Sequence, residues 1–167
     1  NRYKGQAKIM AIKRYKATAD NTIANVYKSN LKTRATGSNM GLADISEVFS
    51  IYGRQSADSS ELSRILTKFD ISSISSDRTA GIIPASGQVK FYLRLYNAET
   101  SKTVPKDFKL VVEAISRDWN EGDGLDLENY SDLGVSNWLS SSGVTAWTAP
   151  GGDYHVNPTF EQTFETG

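Results

Sequence analysis

Residues 61–70 read ELSRILTKFD, residues 89–98 read VKFYLRLYNA and residues 108–121 read FKLVVEAISRDWNE. Each stretch is a run of β-branched, aromatic and aliphatic residues with an alternation of period two. In the first stretch, Leu62 and Leu66 fall on the same face of an extended chain. Alternation of this kind over about four to eight residues is typical of a strand with one buried face. Because serine-, glycine- and proline-rich connections separate the stretches, they predict an antiparallel all-β domain.

The same signals predict further strands towards both ends of the chain, at residues 17–27, 45–52, 144–148 and 159–166. Residues 28–43 and 120–143 are polar and punctuated by glycine, which is typical of long surface loops. Residues 71–88 are expected to form a connection with at most one short helical turn. These features together predict an antiparallel β-sandwich of jelly-roll type with long loops.

The position of the first strand sets the expected domain organisation. Residues 1–16 are interpreted as a basic, extended N-terminal arm, and residues 17–167 as one sandwich domain. A length of 167 residues fits one domain with a short extension. Because a sandwich normally closes with a paired final strand, we expect the domain to continue beyond residue 167.

The composition excludes several classes of protein. Hydrophobic residues make up 38% of the chain and the mean hydropathy is −0.43. No apolar run approaches the roughly 18 residues that a transmembrane helix needs, so no membrane association is expected. The sequence has no cysteine, which excludes disulfides, thiol nucleophiles and cysteine metal sites and fits synthesis in a reducing cytoplasm.

Charge is distributed unevenly along a chain whose net charge is zero. Residues 1–34 carry nine Lys or Arg and one acid, a balance of +8, whereas residues 118–167 carry nine acids and no Lys or Arg. One interpretation is a solvated arm and a solvated acidic loop. The other is a pair of complementary ends that meet across a subunit contact. Nucleic acid is a less favoured partner because the acidic half would repel a polyanion.

Catalytic chemistry finds little support in the sequence. His155 is the only histidine and stands beside Asp153 after a PGGD turn, and there is no G-x-S-x-G motif. The acidic stretch 118–128 offers paired carboxylates and oxygen ligands, but its spacing does not follow an EF-hand and does not define a glycosidase pair. We therefore expect no enzymatic activity and no cofactor, and we assign no metal site, although a structural calcium ion is the alternative to a solvated loop for this acidic stretch.

Aromatic residues near the C-terminal half supply the best binding candidates. Sugar-binding sandwiches stack pyranose rings on aromatic faces beside carboxylates and amides. The candidate contact residues are Tyr130, Trp138 and Tyr154, with Asp132 and Asn137 as polar neighbours. Trp119 and Trp147 are expected to pack in the core, because they lie in or next to predicted strands.

The order of the motifs resembles a known family of domains. ATADNTI, RILTKFDISSI and VKFYLRLYNA, followed by a strand ending in DWNEG, are similar to β-sandwich domains of the DNRLRE (disaggregatase-related) type. The matching pieces are residues 19–23, 66–74, 89–96 and 119–121. The resemblance implies a sandwich fold over about residues 17–155 and carries no set of catalytic residues.

Three longer stretches resemble virion structural proteins of marine tailed phages. They are residues 30–41, 61–87 and 124–155. This resemblance implies a non-enzymatic component of the particle in its head, neck or tail, made in the host cytoplasm and located in the virion. Its expected partners are other virion proteins and further copies of itself. The alternative function is a carbohydrate-binding module that recognises a host or secreted polysaccharide.

Overall fold

Antiparallel strands supply most of the regular structure in this computed structural model, which describes residues 12–52, 60–101, 109–131, 135–155 and 161–163. Within those residues the chain forms seven strands and one helix. They are β1 Ala17–Ala24, β2 Ser50–Tyr52, β3 Ser60–Phe69, α1 Ile71–Thr79, β4 Lys109–Val111, β5 Ser140–Ser142, β6 Thr145–Ala146 and β7 Glu161–Thr163. The expectation of a β-rich antiparallel domain is confirmed at this level.

The largest sheet has three strands in the order β1-β3-β2. β3 occupies the centre, and β2 pairs with it antiparallel so that Ile51 opposes Glu61. Beyond the end of β1, Asn25 extends the contact, because its amide donates to the carbonyl of Leu62 at 3.0 Å and its side-chain Oδ1 accepts from the Leu62 amide at 2.6 Å. The central position of β3 agrees with the strand predicted over residues 61–70.

Two smaller sheets complete the strand pairing in the described residues. β4 pairs antiparallel with β7, with Leu110 opposite Gln162. β5 and β6 form a tight hairpin in which Ser140 opposes Ala146, and the register shifts within the pair. β6 lies inside the predicted strand 144–148, whereas β5 was expected to be loop.

Contacts between Cα atoms divide the chain into two compact units. The first takes its described residues from Asn1–Thr18 and Lys68–Tyr96, and the second from Ala19–Thr67 and Asn97–Gly167. Residues 12–16 of the predicted arm lie in the first unit without regular secondary structure, and residues 1–11 lie outside the described residues.

The core of the second unit is built around tryptophan. Its buried members are Ile23, Leu66, Trp119, Trp138 and Trp147. A smaller buried group joins Ala24, Val26 and Ala35. Both groups draw on β1, because its last four residues are all buried. The predicted core positions of Trp119 and Trp147 are confirmed.

The first unit contains a helix that the sequence pattern did not predict at this length. α1 begins after Asp70, whose carboxylate accepts from the Ser72 amide at 2.9 Å and from the Ser73 hydroxyl at 2.6 Å. None of its residues is buried. Because no face of the helix packs into a core, its sequence carries no 3.6-residue apolar period, and the capping aspartate is the signal that specifies its start.

The strand expected at residues 89–98 is not formed. Residues 89–100 pair with no described strand and run without a turn or a bend. The prediction was wrong because alternation reports which side chains share a face, but it does not supply a neighbouring strand. The strand expected from residue 108 onwards is short, with only Lys109–Val111 paired, and residues 102–108 lie outside the described residues.

No helix among the described residues has both the length and the apolar character needed to cross a membrane.

Candidate interaction site

The first unit contains an exposed stretch that pairs with no strand in the described part of the chain. We call residues 89–96, which read VKFYLRLY, the exposed segment. Its five largest apolar or aromatic side chains are between 40% and 81% exposed; they are Phe91, Tyr92, Leu93, Leu95 and Tyr96. No backbone hydrogen bond joins the exposed segment to another residue in the described part of the chain.

The exposed segment has two chemically different faces. In an extended chain successive side chains point to opposite sides. Phe91, Leu93 and Leu95 therefore share one face. The other face carries Lys90, Tyr92, Arg94 and Tyr96. A segment with one apolar face, whose backbone donors and acceptors pair with no other described residue, is a template for another strand.

Trp138, the leading contact candidate, lies inside the second unit rather than on its surface. It is only 6% exposed and belongs to the tryptophan core. The guanidinium of Arg64 lies 5.2 Å from its ring centroid and 5.0 Å from that of Tyr154, while Arg64 donates to the Gly151 carbonyl at 2.6 Å. Arg64 thus joins β3 to the loop after β6, and the Trp138 ring contacts the Arg64 guanidinium where the two meet.

The other candidates contribute to the same framework. Asn137 is fully buried, its Oδ1 accepts from the amides of Leu139 and Ser140, and its carbonyl accepts from the Trp147 indole at 2.8 Å. Tyr130 is half-buried and its carbonyl accepts a hydrogen bond from the Ser38 hydroxyl. Asp132 lies outside the described residues. The structure therefore brings Trp138 and Tyr154 together through Arg64, but it assembles no shared ligand-facing surface from the described candidates.

The two long loops of the second unit pack on each other. The Lys28 ammonium donates to the Glu128 carbonyl at 2.7 Å. The Ser29 amide and hydroxyl donate to the Glu128 carboxylate at 2.9 and 2.6 Å. The hydrogen bonds from Ser29, the hydroxyl first and then the amide, hold the pKa of the Glu128 carboxyl below its ordinary value, and the charge of Lys28 lowers it further. Part of the basic segment thus meets part of the acidic segment within one chain.

The buried side chain of Asn39 forms hydrogen bonds that join these two loops, and the sequence analysis did not identify this residue. Asn39 is fully buried, and its Oδ1 accepts from the Gly124 amide at 2.7 Å and from the Gly41 amide at 3.3 Å. A Cβ at Gly122 would lie 2.0 Å from Asn39 Oδ1, and one at Gly124 would lie 2.0 Å from the Asn39 carbonyl oxygen. The Gly-Asp-Gly sequence at 122–124 is the signal that could have indicated so close an approach.

A second network orders the loop after β6. The Arg117 guanidinium lies 2.8 Å from the Asp153 carboxylate, which also accepts from the Thr148 amide at 2.8 Å. Partial burial raises the pKa of Asp153, but hydrogen bonds from Ala149 and Thr148 and the charge of Arg117 outweigh it and leave the pKa lowered. The neighbouring His155 is exposed, and its amide donates to the Ala114 carbonyl at 3.0 Å. These carboxylate contacts order a turn.

Among the described residues, no group of three or more His, Asp or Glu is arranged to hold a metal ion. The first unit has a cleft of about 510 Å³. It is lined on one side by Lys13, Arg14, Tyr15, Lys16 and Thr18, and on the other by Asp70, Ser72, Ser73, Ser76 and Asp77. Lys13 and Tyr15 reach Asp77 at 3.1 and 2.8 Å. These two contacts join the arm residues to α1, and Asp70 on the same side of the cleft caps the helix.

No protein-family model, no curated protein and no solved structure matches this chain.

Proposed function

We propose that the chain is a non-enzymatic structural component of a tailed-phage particle, in the head, neck or tail, and that it works through protein–protein contacts. The proposal includes a jelly-roll arrangement of the strands. Its partners are other virion proteins and further copies of this chain, and its location is the virion.

The observation that supports this proposal best is the exposed segment. A single chain rarely leaves a run of alternating apolar and aromatic side chains in water, and the backbone groups of this run pair with no other described residue, so the run is suited to pairing with another chain. Proteins that remain isolated usually protect an edge with proline, a bulge or a covering element. A surface that needs a partner is expected in a particle protein.

Burial of Trp138 supports the same proposal. A glycan-binding site built on Trp138 needs an open ring face, whereas this ring is packed against the core. The described residues near it are used in hydrogen bonds that fix the loops.

The test is the protein content of purified particles of the phage that encodes the chain. We expect the chain to be found by mass spectrometry in particles purified on a density gradient, and an antibody against it to label them at one position. A non-structural protein encoded by the same phage serves as the control for contamination. Presence in the infected-cell lysate but absence from washed particles would overturn the proposal.

A second candidate function is favoured by two exposed tyrosines. Tyr92 and Tyr96 are about 80% exposed and lie on the same face of the exposed segment. In an extended chain they are about 13 Å apart, a distance that an oligosaccharide of a few sugar units spans. This surface replaces the buried Trp138 as the place where a carbohydrate-binding module would stack its ligand.

The two functions are separated by binding assays with polysaccharides. If the chain is a carbohydrate-binding module, the purified protein is retained by a glycan, and Tyr92→Ala and Tyr96→Ala each remove retention. Loss of one ring stack costs on the order of 1–3 kcal/mol. Val144→Ala, at an exposed position outside the segment, is the control. Absence of retention across a broad glycan panel leaves only the structural function.

A further inference from the structure

We propose that the exposed segment pairs with the same segment of a second copy of this chain, antiparallel, about a two-fold axis that passes through Leu93. This inference rests on the proposed function, because it assigns the contact surface and the partner through which the chain would associate. We choose a second copy as the partner because, in one antiparallel register, two copies of the segment place complementary side chains opposite each other.

A two-fold axis between antiparallel strands restricts the registers that are available. It stands perpendicular to the strand pair and maps each face of one segment onto the same face of the other. Apolar residues therefore oppose apolar residues, and residues of the mixed face oppose residues of the mixed face. Only registers centred on a residue satisfy this condition.

The register centred on Leu93 gives a favourable partner to every residue in the middle of the segment. Leu93 opposes Leu93 of the second copy, and Phe91 opposes Leu95. On the other face, Tyr92 opposes Arg94 and Lys90 opposes Tyr96. Apolar and aromatic cross-strand pairs are stabilising, and an arginine or lysine beside an aromatic ring is attracted to it.

The neighbouring registers place like charges together. A centre on Tyr92 brings Lys90 opposite Arg94, and a centre on Arg94 brings two copies of that arginine face to face. Parallel in-register pairing would set Lys90 beside Lys90 and Arg94 beside Arg94. Directly opposed like charges are destabilising, so charge selects the register centred on Leu93.

The conformation of the segment lowers the cost of this pairing. Residues 89–96 already run without a turn or a bend, and their backbone groups form no hydrogen bonds with other described residues. Pairing therefore breaks no described contact and requires little reordering of the chain. Because an isolated two-stranded ribbon is only marginally stable, the dimer is expected to depend on concentration and to be reinforced in an assembly.

The absence of cysteine from the wild-type sequence allows disulfide trapping to test the register. The variants are Leu93→Cys, Tyr92→Cys and Val144→Cys, each made in the full chain and exposed to a glutathione redox buffer. Directly opposite residues have Cβ atoms about 4.5–5.5 Å apart, whereas diagonal neighbours are about 7–8 Å apart. A disulfide needs about 3.5–4.5 Å, so only Leu93→Cys is expected to give a rapidly formed covalent dimer.

Val144 lies between β5 and β6 and is 99% exposed, so Val144→Cys measures the rate of random collision. Faster crosslinking of Leu93→Cys than of both other variants is the expected result. Equal rates for Leu93→Cys and Val144→Cys would overturn the pairing. Preferred crosslinking of Tyr92→Cys would overturn the proposed register.

A charge-exchange experiment tests the axis without an oxidant. Leu93→Lys and Leu93→Glu each place two like charges on the axis, so each variant alone is expected to lose the dimer in sedimentation. An equimolar mixture should recover it as a heterodimer. Retention of the dimer by either variant alone, or failure of the mixture to recover it, would contradict the proposal, provided that circular dichroism shows both variants to be folded.

Failure of this inference is distinguishable from failure of the proposed function. If the chain is found in washed particles but Leu93→Cys does not crosslink faster than Val144→Cys, the pairing is wrong and the proposed function stands. If Leu93→Cys crosslinks rapidly but the chain is absent from the particles, the self-association stands and the function falls.

Discussion

One uncharged residue, Asn39, contributes to holding the long loops of the second unit together. Asn39 supplies one side-chain oxygen to two backbone amides, and the glycines at 122 and 124 allow the chains to approach that side chain closely. Its Nδ2 is buried and has no hydrogen-bond partner among the described atoms. A buried donor without a partner is costly, so the gain from the Oδ1 contacts and close packing must exceed that cost.

Gly122→Ala is expected to destabilise the second unit by more than a backbone effect. The new Cβ would meet Asn39 Oδ1 at 2.0 Å, and overpacking of this kind costs about 1–3 kcal/mol or more. Gly152→Ala is the matched control, since Gly152 is also buried but its Cβ would meet only Ile115 Cδ1 at 3.7 Å. Its own cost arises from a φ of +110°.

The measurement is the free energy of unfolding in urea followed by circular dichroism. The contact of Asn39 with Gly122 would be looser than described if Gly122→Ala destabilised the second unit by less than about 1 kcal/mol.

Ser29→Ala is expected to raise the pKa of Glu128 towards its ordinary value. The Ser29 hydroxyl is the leading cause of the lowered pKa of this carboxyl, and the backbone amide would remain. A carboxyl group whose pKa is lower in the folded state stabilises the fold at pH values above its unfolded-state pKa. This stabilisation is lost as the pH falls through the folded-state pKa. Titration of the Glu128 carboxyl by NMR checks the direction, and no change in Ser29→Ala would refute the assigned cause.

Among the elements, the strands that alternate and have neighbours were predictable, and the rest were not. β1 and β3 lie close to the predicted ranges, and the two strands pair with each other in the largest sheet. The segment 89–98 alternates as clearly, yet no neighbour is present in the described chain. α1 begins at a polar cap and buries no residue, so apolar periodicity could not locate it.

The sequence did not predict the environments of Trp138 and of the exposed tyrosines, because in both cases the environment depends on contacts with residues distant in the sequence. Trp138 was placed in the polar, glycine-punctuated loop 120–143, but a loop residue enters the core when a glycine that is close in space permits it. A Cβ at Gly151 would lie 2.9 Å from the Trp138 ring. Tyr92 and Tyr96 were assigned to a strand with one buried face, because sequence alternation alone does not distinguish a paired strand from an unpaired one.

Asp70→Ala is expected to shorten or melt α1. The helix has no buried residue, so its stability depends on local interactions, and loss of an N-cap costs about 0.5–2 kcal/mol. Asp70→Asn is the matched control, since asparagine also caps helices well. Amide hydrogen exchange over residues 71–79 provides the measurement. Equal protection in Asp70→Ala and the wild type would show that the cap does not hold the helix.

Trp138→Ala is expected to destabilise the second unit by about 3–5 kcal/mol. The substitution removes a core ring and the surface on which Arg64 lies. Val144→Ala, at a position that is 99% exposed, should change stability by less than about 0.5 kcal/mol. The measurement is the free energy of unfolding of both variants in urea. A small effect of Trp138→Ala would mean that the ring contributes little to the stability of the core.

At the scale of the whole molecule, association through the charged ends and association through the exposed segment are expected to respond differently to salt. The basic residues 1–34 and the acidic residues 118–167 could attract other copies over long distances at low salt. Part of that attraction is used within the chain, where Lys28 and Ser29 meet Glu128. The exposed segment offers apolar and backbone contacts, which salt screens far less.

Association of the full chain is therefore expected to persist as the salt concentration rises. At about 1 M salt the Debye length falls to about 3 Å, and attraction between the charged ends is largely screened. Sedimentation equilibrium between about 0.05 and 1 M sodium chloride measures the effect. A dimer that dissociates steeply with salt would assign the contact to the charged ends instead of the exposed segment.

The tryptophan core also gives the molecule an optical label for one of its two units. All three indoles of the sequence, Trp119, Trp138 and Trp147, belong to the core of the second unit, whereas the segments of the first unit contain tyrosine but no tryptophan. Light at the red edge of the absorption band excites indole and not phenol, so emission from the unmodified protein reports the second unit alone. Comparison of that signal with far-ultraviolet ellipticity, to which α1 contributes, will show whether the two units lose their structure together.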